Sequence, residues 1–579
     1  MELEKTNNFG SIRTPVGIIR VVETNNKISM VNWTNKVEKS SSPLICSALI
    51  KIKKYFEKKI NINSVPIKLN FSNLQIEILN KISRIPFGAT LSYGLLAKQL
   101  NTHARVVGKV CSINPLPLII PCHRVLTSQN KLGGYSCGKG LETKLWLLNH
   151  ENIKLTEGWI LLKQGNVYDP FINLNGVYDI LIKDGRIEKV KNNISSEEKF
   201  KIIDCKDKIL TNGFIDLHSH FREPGFEYKE NMLSGSISAI KGGYTRVCTM
   251  PNTDPVVDNP ELVSFIVNKS KDLPVHIYPI GAITKGQKGN ELAEIGMMVD
   301  AGAIAISDDG IPVSNSQILR MALEYSRKFN IPVINHAEDL SLANNALMHE
   351  GLNSLKLGLS GSPDITESIM VYRDLSIAKY SSGKIHVPHV SSKKSVEIIK
   401  TFKNEGLKVS AEVTPHHLCL NDSVLLGYNT NAKVAPPIRS EVDRKALIEG
   451  VKSGVIDCIA TDHAPHSIED KDCDIQHAPC GMIGLESSFG LVHKTLKKEK
   501  VNIKSIIDLF TVNPSKIINI VPNSIQEGKL AEINIIDSTK KWVFNSEDII
   551  SKSKNSPLIG MNLHGKVIGT FNKGYFSSF

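Results

Sequence analysis

Two short stretches of the chain combine residue types that can do chemistry. The first is His218-Ser-His220, with Arg222 two residues further on. Residues at i and i+2 of a strand share a face, so a strand's end can present both imidazoles to one divalent metal. Arg222 follows on that face, where its guanidinium can fork onto a carboxylate. His-x-His recurs by chance on many strands, so the pair alone is as readily structural as catalytic. Further along, Asn252, Asp308-Asp309, His336, His389 and Asp462 each follow an apolar run. Five strand ends that supply His or Asp make coincidence a poor account, and the set suits a two-zinc centre. The second stretch is Pro121-Cys122-His123-Arg124-Val125, at the end of an apolar run. Nearby positive charge lowers a thiol's pKa, which makes Cys122 a candidate nucleophile. A lone Cys-His pair, by contrast, is usually a buried structural thiol.

The elements that must position these residues follow from periodicity. Ile209 to Ile215 reads as one buried strand delivering His218 and His220. From 211 onward, apolar runs alternate with helical stretches: Thr245–Met250, Val275–Ile280, Ala303–Ser307, Val333–His336, Ile385–Val390, Lys408–Val413 and Cys458–Thr461. That alternation predicts a parallel αβ barrel, whose strand ends are where such folds keep their active sites. Trp159–Gln164, Asp179–Lys183 and Arg186–Val190 read as strands, and 528–579 returns to strands that complete a small β-sandwich. In the first 151 residues, Thr14–Trp33 alternates around Asn25-Asn26, a hairpin signal. Helices are expected over Ala48–Ile60, Leu74–Ile85 and Glu142–Glu151. Ser92 caps Tyr93–Leu100 and Thr102 caps Ala104–Ser112, a pair resembling a helix-turn-helix. Arg105 and Lys109 share a face of the second helix.

Composition narrows the class. A chain of 579 residues needs more than one hydrophobic core, and 41% hydrophobic content fits soluble globular domains. There is no signal-peptide layout and no apolar run of membrane length. Ten cysteines without a Cys-x-x-Cys pair fit reduced thiols, so a cytoplasmic protein is expected. The charge is split. Residues 1–151 hold 21 Lys and Arg against eight Glu and no Asp, a net +13; residues 152–579 hold 49 against 50, a net −1. Lysine from AT-biased coding would raise both halves, yet the second half balances it. The first half therefore reads as a polyanion binder.

Residues 1–151 resemble the methylated-DNA–protein-cysteine methyltransferases. The likeness rests on Asn114-Pro-x-Pro, Pro-Cys-His-Arg-Val, Gly133-Gly134-Tyr135-Ser136 and Leu145-Trp-Leu-Leu-Asn-His-Glu151. It implies that Cys122 takes an alkyl group from guanine in double-stranded DNA, one lesion per protein. His123, held by Glu151, would draw off the thiol proton through a water. Asn114 would shape the active-site turn, and Arg105 would fill the gap left by the flipped base. Tyr93 would turn the nucleotide's phosphate, and Tyr135 and Ser136 would line the guanine pocket. A base stacked in a duplex cannot reach a buried thiolate, so flipping is required, at a cost of a few kcal/mol. Cys137-Gly-Lys-Gly140 departs from the commonest Gly-Gly loop of that family.

Residues 157–579 resemble the dihydroorotases of the amidohydrolase superfamily. The carrying features are Asp216-Leu-His-Ser-His-Phe-Arg-Glu-Pro-Gly225, Met250-Pro-Asn-Thr253, Ser307-Asp-Asp-Gly310, His336-Ala-Glu-Asp339, His389-Val-Ser-Ser and Ala460-Thr-Asp-His-Ala-Pro-His466. The resemblance implies zinc, two ions per chain, held by His218, His220, Asp309, His336 and His389, with Asp462 beside them as general base or ligand. Arg222, Asn252 and His466 would grip the substrate carboxylate, and the backbone at Cys480 and Gly481 would contact the ring. The implied reaction is reversible closure of N-carbamoyl-L-aspartate to L-dihydroorotate. Ala435 stands where many relatives carry an Asn.

The expected architecture is α/β and multidomain: an alkyltransferase fold with a helix-turn-helix, then a metal-dependent (β/α)8 barrel with a small β-sandwich. The expected boundaries are 1–70 and 71–155 for the two alkyltransferase parts, 156–210 with 525–579 for the sandwich, and 211–524 for the barrel. Two readings compete with a bifunctional enzyme. One is a DNA-binding module without repair activity; the other is a second half acting on hydantoins or allantoin. Oligomeric state stays open.

Overall fold

The computed structural model describes residues 8–578 except 58–61, 63–64, 128–133, 152, 156–157, 199 and 272. Two compact units emerge: 1–158 with 574–579, and 159–573. Gly133 and the 155/156 boundary expected from the sequence fall at or beside residues outside that description.

The first unit opens with three antiparallel strands, Asn8–Thr14, Gly17–Thr24 and Lys27–Thr34. Their second hairpin turns at Asn25 and Asn26, both with left-handed φ (54° and 57°), as a two-residue type I′ turn demands. The first helix spans Pro43–Phe56 rather than starting at Ala48. Ser42 accepts from Ile45 N and Pro43 sits at the first helical position, a start signal stronger than apolar spacing alone. A helix over Asn73–Ser83 follows. Next come α1 (Tyr93–Gln99), capped by Ser92 as expected, and α2 (Ala104–Ser112). The expected cap of α2 at Thr102 is not formed: His103 holds the N-cap position, without a side-chain bond. Helix Leu141–His150 precedes Ile153–Leu155, which pairs antiparallel with Tyr575–Ser578.

The second unit contains eight parallel strands: β1 (Phe214–Ser219), β2 (Tyr244–Thr249), β3 (His276–Pro279), β4 (Ile306–Ser307), β5 (Val333–Ile334), β6 (Ile385–Val387), β7 (Val409–Val413) and β8 (Cys458–Ile459). β1 to β3 are neighbours in one sheet and β4 to β8 in another. Parallel bridges Gly281↔Ile306 and Ser219↔His463 link the two sheets at both edges. Ile215, Leu217, Cys248, Met250, Ile280, Ala305, Ile334, Cys458 and Ala460 pack together as their shared core. The run Ile209–Ile215 is not one strand. It breaks at Gly213, where a Cβ would lie 2.1 Å from the Thr245 side chain. Ile209–Asn212 instead pairs with Trp159–Asp169 and Ile533–Val543. The stretches expected to form the sandwich supply one continuous hydrogen-bonded sheet, which also includes Leu174–Lys183, Arg186–Lys191, Phe200–Asp204 and Asn562–Asn572. No helix among the described residues is long and apolar enough to cross a membrane.

Candidate metal centre and candidate thiol site

In the second unit, the predicted ligands converge at the C-terminal ends of the parallel strands. β1 delivers His218, and His220 follows its last residue. His218 Nδ1 lies 2.9 Å from Glu412 Oε1, and His220 Nδ1 lies 2.9 Å from Asn252 Oδ1. Each Nδ1–H therefore donates backwards into the protein, which leaves each Nε2 as a lone pair facing forwards. His218 Nε2 stands 3.2 Å from Asp309 Oδ1. His220 Nε2 stands 3.1 Å from Asp462 Oδ1 and 3.5 Å from Asp309 Oδ2. His389 Nε2 is 3.5 Å from Asp309 Oδ1 and 3.0 Å from His336 Nδ1, while His336 Nδ1 is 3.8 Å from Asp309 Oδ1. All six residues are buried, and His218 Nε2 has no hydrogen-bond partner. Two sets close within metal-ligand reach of one another, His218–Asp309–His389 and His218–His220–Asp462. Lone pairs aimed at carboxylates in a buried space repel unless a cation lies between them. The donor set thus fits bound divalent metal, with imidazole nitrogens and carboxylate oxygens of the kind zinc accepts.

The backbone is bent to make this arrangement. Arg222, His389 and Asp462 have φ of 57°, 32° and 45°, a region non-glycine residues enter at a cost of roughly 1–3 kcal/mol each. Asp216 anchors the turn before Asp462 by accepting from Thr461 N (2.8 Å) and Thr461 Oγ1 (2.6 Å); burial pushes its carboxyl up to about 7. Asp308 and Asp309 part company. Asp308 is tied to Ile283 N, Thr284 N and Thr284 Oγ1, while Asp309 faces the histidines.

Beside the ligands lies a cationic group. Arg222 Nη2 is 3.3 Å from His466 Nε2, and Lys229 Nζ is 3.2 Å from His466 Nδ1. Burial first, then Arg222 and Lys229, force the His466 imidazole down to about 2. Asn252 links two of the ligands, donating to Asp309 Oδ2 at 3.2 Å while it accepts from His220. The Cys480 carbonyl accepts from His466 (2.9 Å), and Gly481 N donates to Lys433 O (2.9 Å). Gly481 has φ of 135°, and a Cβ there would stand 2.7 Å from that of Ala464.

Sequence reasoning missed Glu412, which joins His218 Nδ1 to His386 Nε2 (3.0 Å). Burial opposes its ionisation, but hydrogen bonds from those two rings hold its carboxyl at about 2. It also missed Lys229 and Glu338, the latter 3.3 Å from His336 Nε2. Alternation along β7 places Glu412 inward, the one signal that could have marked it.

In the first unit, Cys122 opens the short turn Cys122–Arg124 and is buried. Asn114 Nδ2 donates to Cys122 Sγ (3.2 Å) and to Ile120 O (2.8 Å), which fixes the turn. His123 Nε2 donates to Glu151 Oε1 at 2.8 Å, leaving a buried Nδ1 with no protein partner. Burial lowers the His123 pKa, so the ring is neutral and Nδ1 carries a lone pair. Glu151 also accepts from Arg124 Nε (2.8 Å), Arg124 Nη2 (2.9 Å), Tyr55 Oη (2.6 Å) and Gly88 N (3.2 Å). Burial resists its ionisation, but Arg124 and His123 outweigh that and hold the carboxyl far below its usual range. Arg124, expected from the sequence to lower the thiol's pKa, pairs with Glu151 instead, and the Cys137 thiol and burial push the Cys122 thiol up rather than down; Tyr55 was given no role by the sequence. Tyr93, Arg105, Cys111, Cys122, Tyr135 and Ser136 line one cavity of about 690 Å³, bordered by α1 and α2. Ser136 Oγ donates to Ser112 O (3.0 Å), at the end of α2.

Comparison with known proteins separates the two units. Residues 207–395 match the family model of dihydro-orotase-like proteins, and residues 73–153 match that of the 6-O-methylguanine DNA methyltransferase DNA-binding domain. The dihydroorotase of Acetivibrio thermocellus is 45% identical over 72% of this chain and 98% of its own length. The chain belongs to the dihydroorotase family. Another family relative, the dihydroorotase of Caldicellulosiruptor saccharolyticus, is 46% identical over 69% of this chain and 94% of its own. The L-hydantoinase of Arthrobacter aurescens superposes with a TM-score of 0.64 at 24% identity, covering 72% of this chain and 95% of its own. A D-hydantoinase gives 0.63 at 20%, with the same coverage. The match to the DNA-binding domain lies N-terminal to the residues that match the dihydro-orotase-like model.

Proposed function

We propose that the chain is bifunctional: a zinc-dependent dihydroorotase in the second unit and a stoichiometric O-alkylguanine acceptor in the first. The observation that carries the first half is the convergence of imidazole lone pairs on Asp309 and Asp462 beside the Arg222 and Lys229 cations that flank the neutral His466 ring. His218, His220, Asp309, His336 and His389 would hold the metals, in a (β/α)8 barrel. When bound, the metals supply a Lewis acid that polarises the ring carbonyl and lowers the pKa of water. Asp462 accepts the attacking water's proton at Oδ1 and returns it to the departing ring nitrogen, and the reverse sequence closes the ring. Arg222 and His466 bind the substrate carboxylate; Asn252 orients it while holding His220 in its tautomer.

In the first unit, Cys122 at the cavity's wall is the acceptor. Neutral His123 takes the thiol proton at Nδ1 through a water, and ionised Glu151 stabilises the imidazolium that results. Arg105 and Tyr93 support the flipped nucleotide, Tyr135 and Ser136 line its pocket, and Asn114 orients the sulfur. The residue divisions 1–70, 71–155, 156–210 with 525–579, and 211–524 belong to the same proposal. The purified chain tests both halves together. Zinc content with dihydroorotate turnover addresses the second unit, and the mass of protein incubated with O-alkylguanine DNA addresses the first. Turnover of hydantoin or allantoin in preference to dihydroorotate, or an unchanged protein mass, would replace the corresponding half with its alternative.

A further inference from the structure

A second cavity, of about 830 Å³, lies within the second unit at the end of the parallel strands opposite the candidate metal centre. Lys384, Lys408 and Asp457 line it and stand immediately before β6, β7 and β8. Five cations face it, Arg327, Lys384, Lys408, Lys452 and Lys516, against two carboxylates, Asp457 and Asp508. Both carboxylates are already engaged. Asp457 accepts from Lys403 Nζ (2.7 and 2.8 Å) and from Ala411 N (2.7 Å), and Asp508 accepts from Tyr168 Oη (2.8 Å). Most of the cations are not. Among the described residues, the ammonium groups of Lys384, Lys408 and Lys516 have no hydrogen-bond or ion-pair partner. Arg327 uses only Nη1, which donates to Ser381 O (3.2 Å). Lys452 is the exception, paired with Glu449 at 2.7 Å.

Lys384 is half-buried, and burial alone lowers its pKa. A cation taken partly out of water without a partner is destabilised, and a bound anion would offset that cost. General lysine richness does not explain the cluster, because residues 152–579 carry a net charge of −1. The floor beneath the cations is apolar, formed by buried Val409, Ile456, Leu509 and Ile517. Neither half of the proposed function uses this end of the barrel.

We propose that this cavity binds a polyphosphate-bearing anion, held by Lys384, Lys408, Lys516 and Arg327 above the apolar floor. A single carboxylate would answer one of these four cations. A chain of phosphates answers several at once and presents the acceptor oxygens that Lys and Arg bind. Sites for small organic ligands span about 300–1,000 Å³, so the cavity has room for an inorganic polyphosphate or for a nucleotide that carries one.

The test is equilibrium dialysis of the full chain against labelled ATP and, separately, inorganic triphosphate. Saturable binding of both is expected, weakening as salt is raised. Tighter binding of ATP would assign the apolar floor to the nucleoside; equal binding would make the site one for the inorganic chain. Lys384→Gln should weaken binding by about tenfold or more, as loss of a hydrogen bond to a charged group does. Lys408→Gln, at an exposed position, should act in the same direction and covers the case in which Lys384→Gln does not fold. Lys452→Gln removes an ammonium that Glu449 already holds, and should change binding by less than about twofold. Absence of saturable binding would overturn the site. So would binding that survives both Lys384→Gln and Lys408→Gln, which would place the anion on the basic first unit or at the metal centre. A loss in Lys452→Gln as large as in Lys384→Gln would also overturn it, by reducing the effect to unspecific surface charge. Neither turnover nor alkyl uptake enters the readout, so the result is independent of both halves of the proposed function.

Discussion

The two sites are built from the same materials, buried imidazoles and carboxylates, yet one network is closed and the other open. In the first unit, both oxygens of Glu151 are satisfied by Arg124, His123, Tyr55 and Gly88 N. Its charge is balanced by protein alone. In the second unit, the imidazoles of His218 and His220 turn their hydrogens towards Glu412 and Asn252 and their lone pairs towards Asp309 and Asp462. That arrangement fits an added cation. The contrast lies in which way the second nitrogen of each ring points: into the protein's own charges in one site, and towards facing carboxylates in the other.

The largest expected effects break one network without touching the other. Cys122→Ser should abolish alkyl uptake, since a serine hydroxyl ionises far above a thiol and His123 is too weak a base to compensate. Dihydroorotate turnover of the same sample should be unchanged. Residual uptake would move the acceptor to Cys111 or Cys137. Asp462→Asn removes the proposed proton acceptor but leaves the other proposed ligands, so turnover should fall by about a hundred- to ten-thousand-fold with metal content nearly intact. Equal loss of metal in Asp462→Asn and Asp309→Ala would make Asp462 a ligand rather than the base.

Smaller effects sharpen the contrast. Glu151→Ala leaves the fully buried Arg124 without its carboxylate. It should cost the first unit about 3–5 kcal/mol, as breaking a buried ion pair does. A thermal scan should show the first unit's transition lowered and the second's unmoved; a single shifted transition would deny the units their independence. Ala435→Asn adds one hydrogen-bonding group and should tighten substrate binding by about 0.5–1.5 kcal/mol, read as a lower KM for dihydroorotate.

Much of this was legible locally. The Asn25-Asn26 turn, the Ser92 cap and the apolar runs that become β2 to β8 are short-range signals, and each sits where the sequence predicted it. The residues that hold the sites in place were not legible. Glu412 meets His218 across 194 positions and Tyr55 meets Glu151 across 96, and nothing in local periodicity encodes a partner so remote. The break at Gly213 was hidden for a related reason: its cause, the Thr245 side chain, lies on the neighbouring strand. The Thr102 cap failed because a Thr one residue too early cannot reach the orphan amides of α2.

The most direct test of the open and closed networks is one dialysis experiment on the full chain. Metal content, dihydroorotate turnover and alkyl uptake are measured on the same samples before chelation, after it, and after zinc is restored. The contrast predicts about two zinc ions per chain at the start. Chelation should remove the zinc and turnover together, zinc should restore both, and alkyl uptake should stay constant throughout. Turnover that survives in metal-free protein, or alkyl uptake that falls and returns with the zinc, would contradict it.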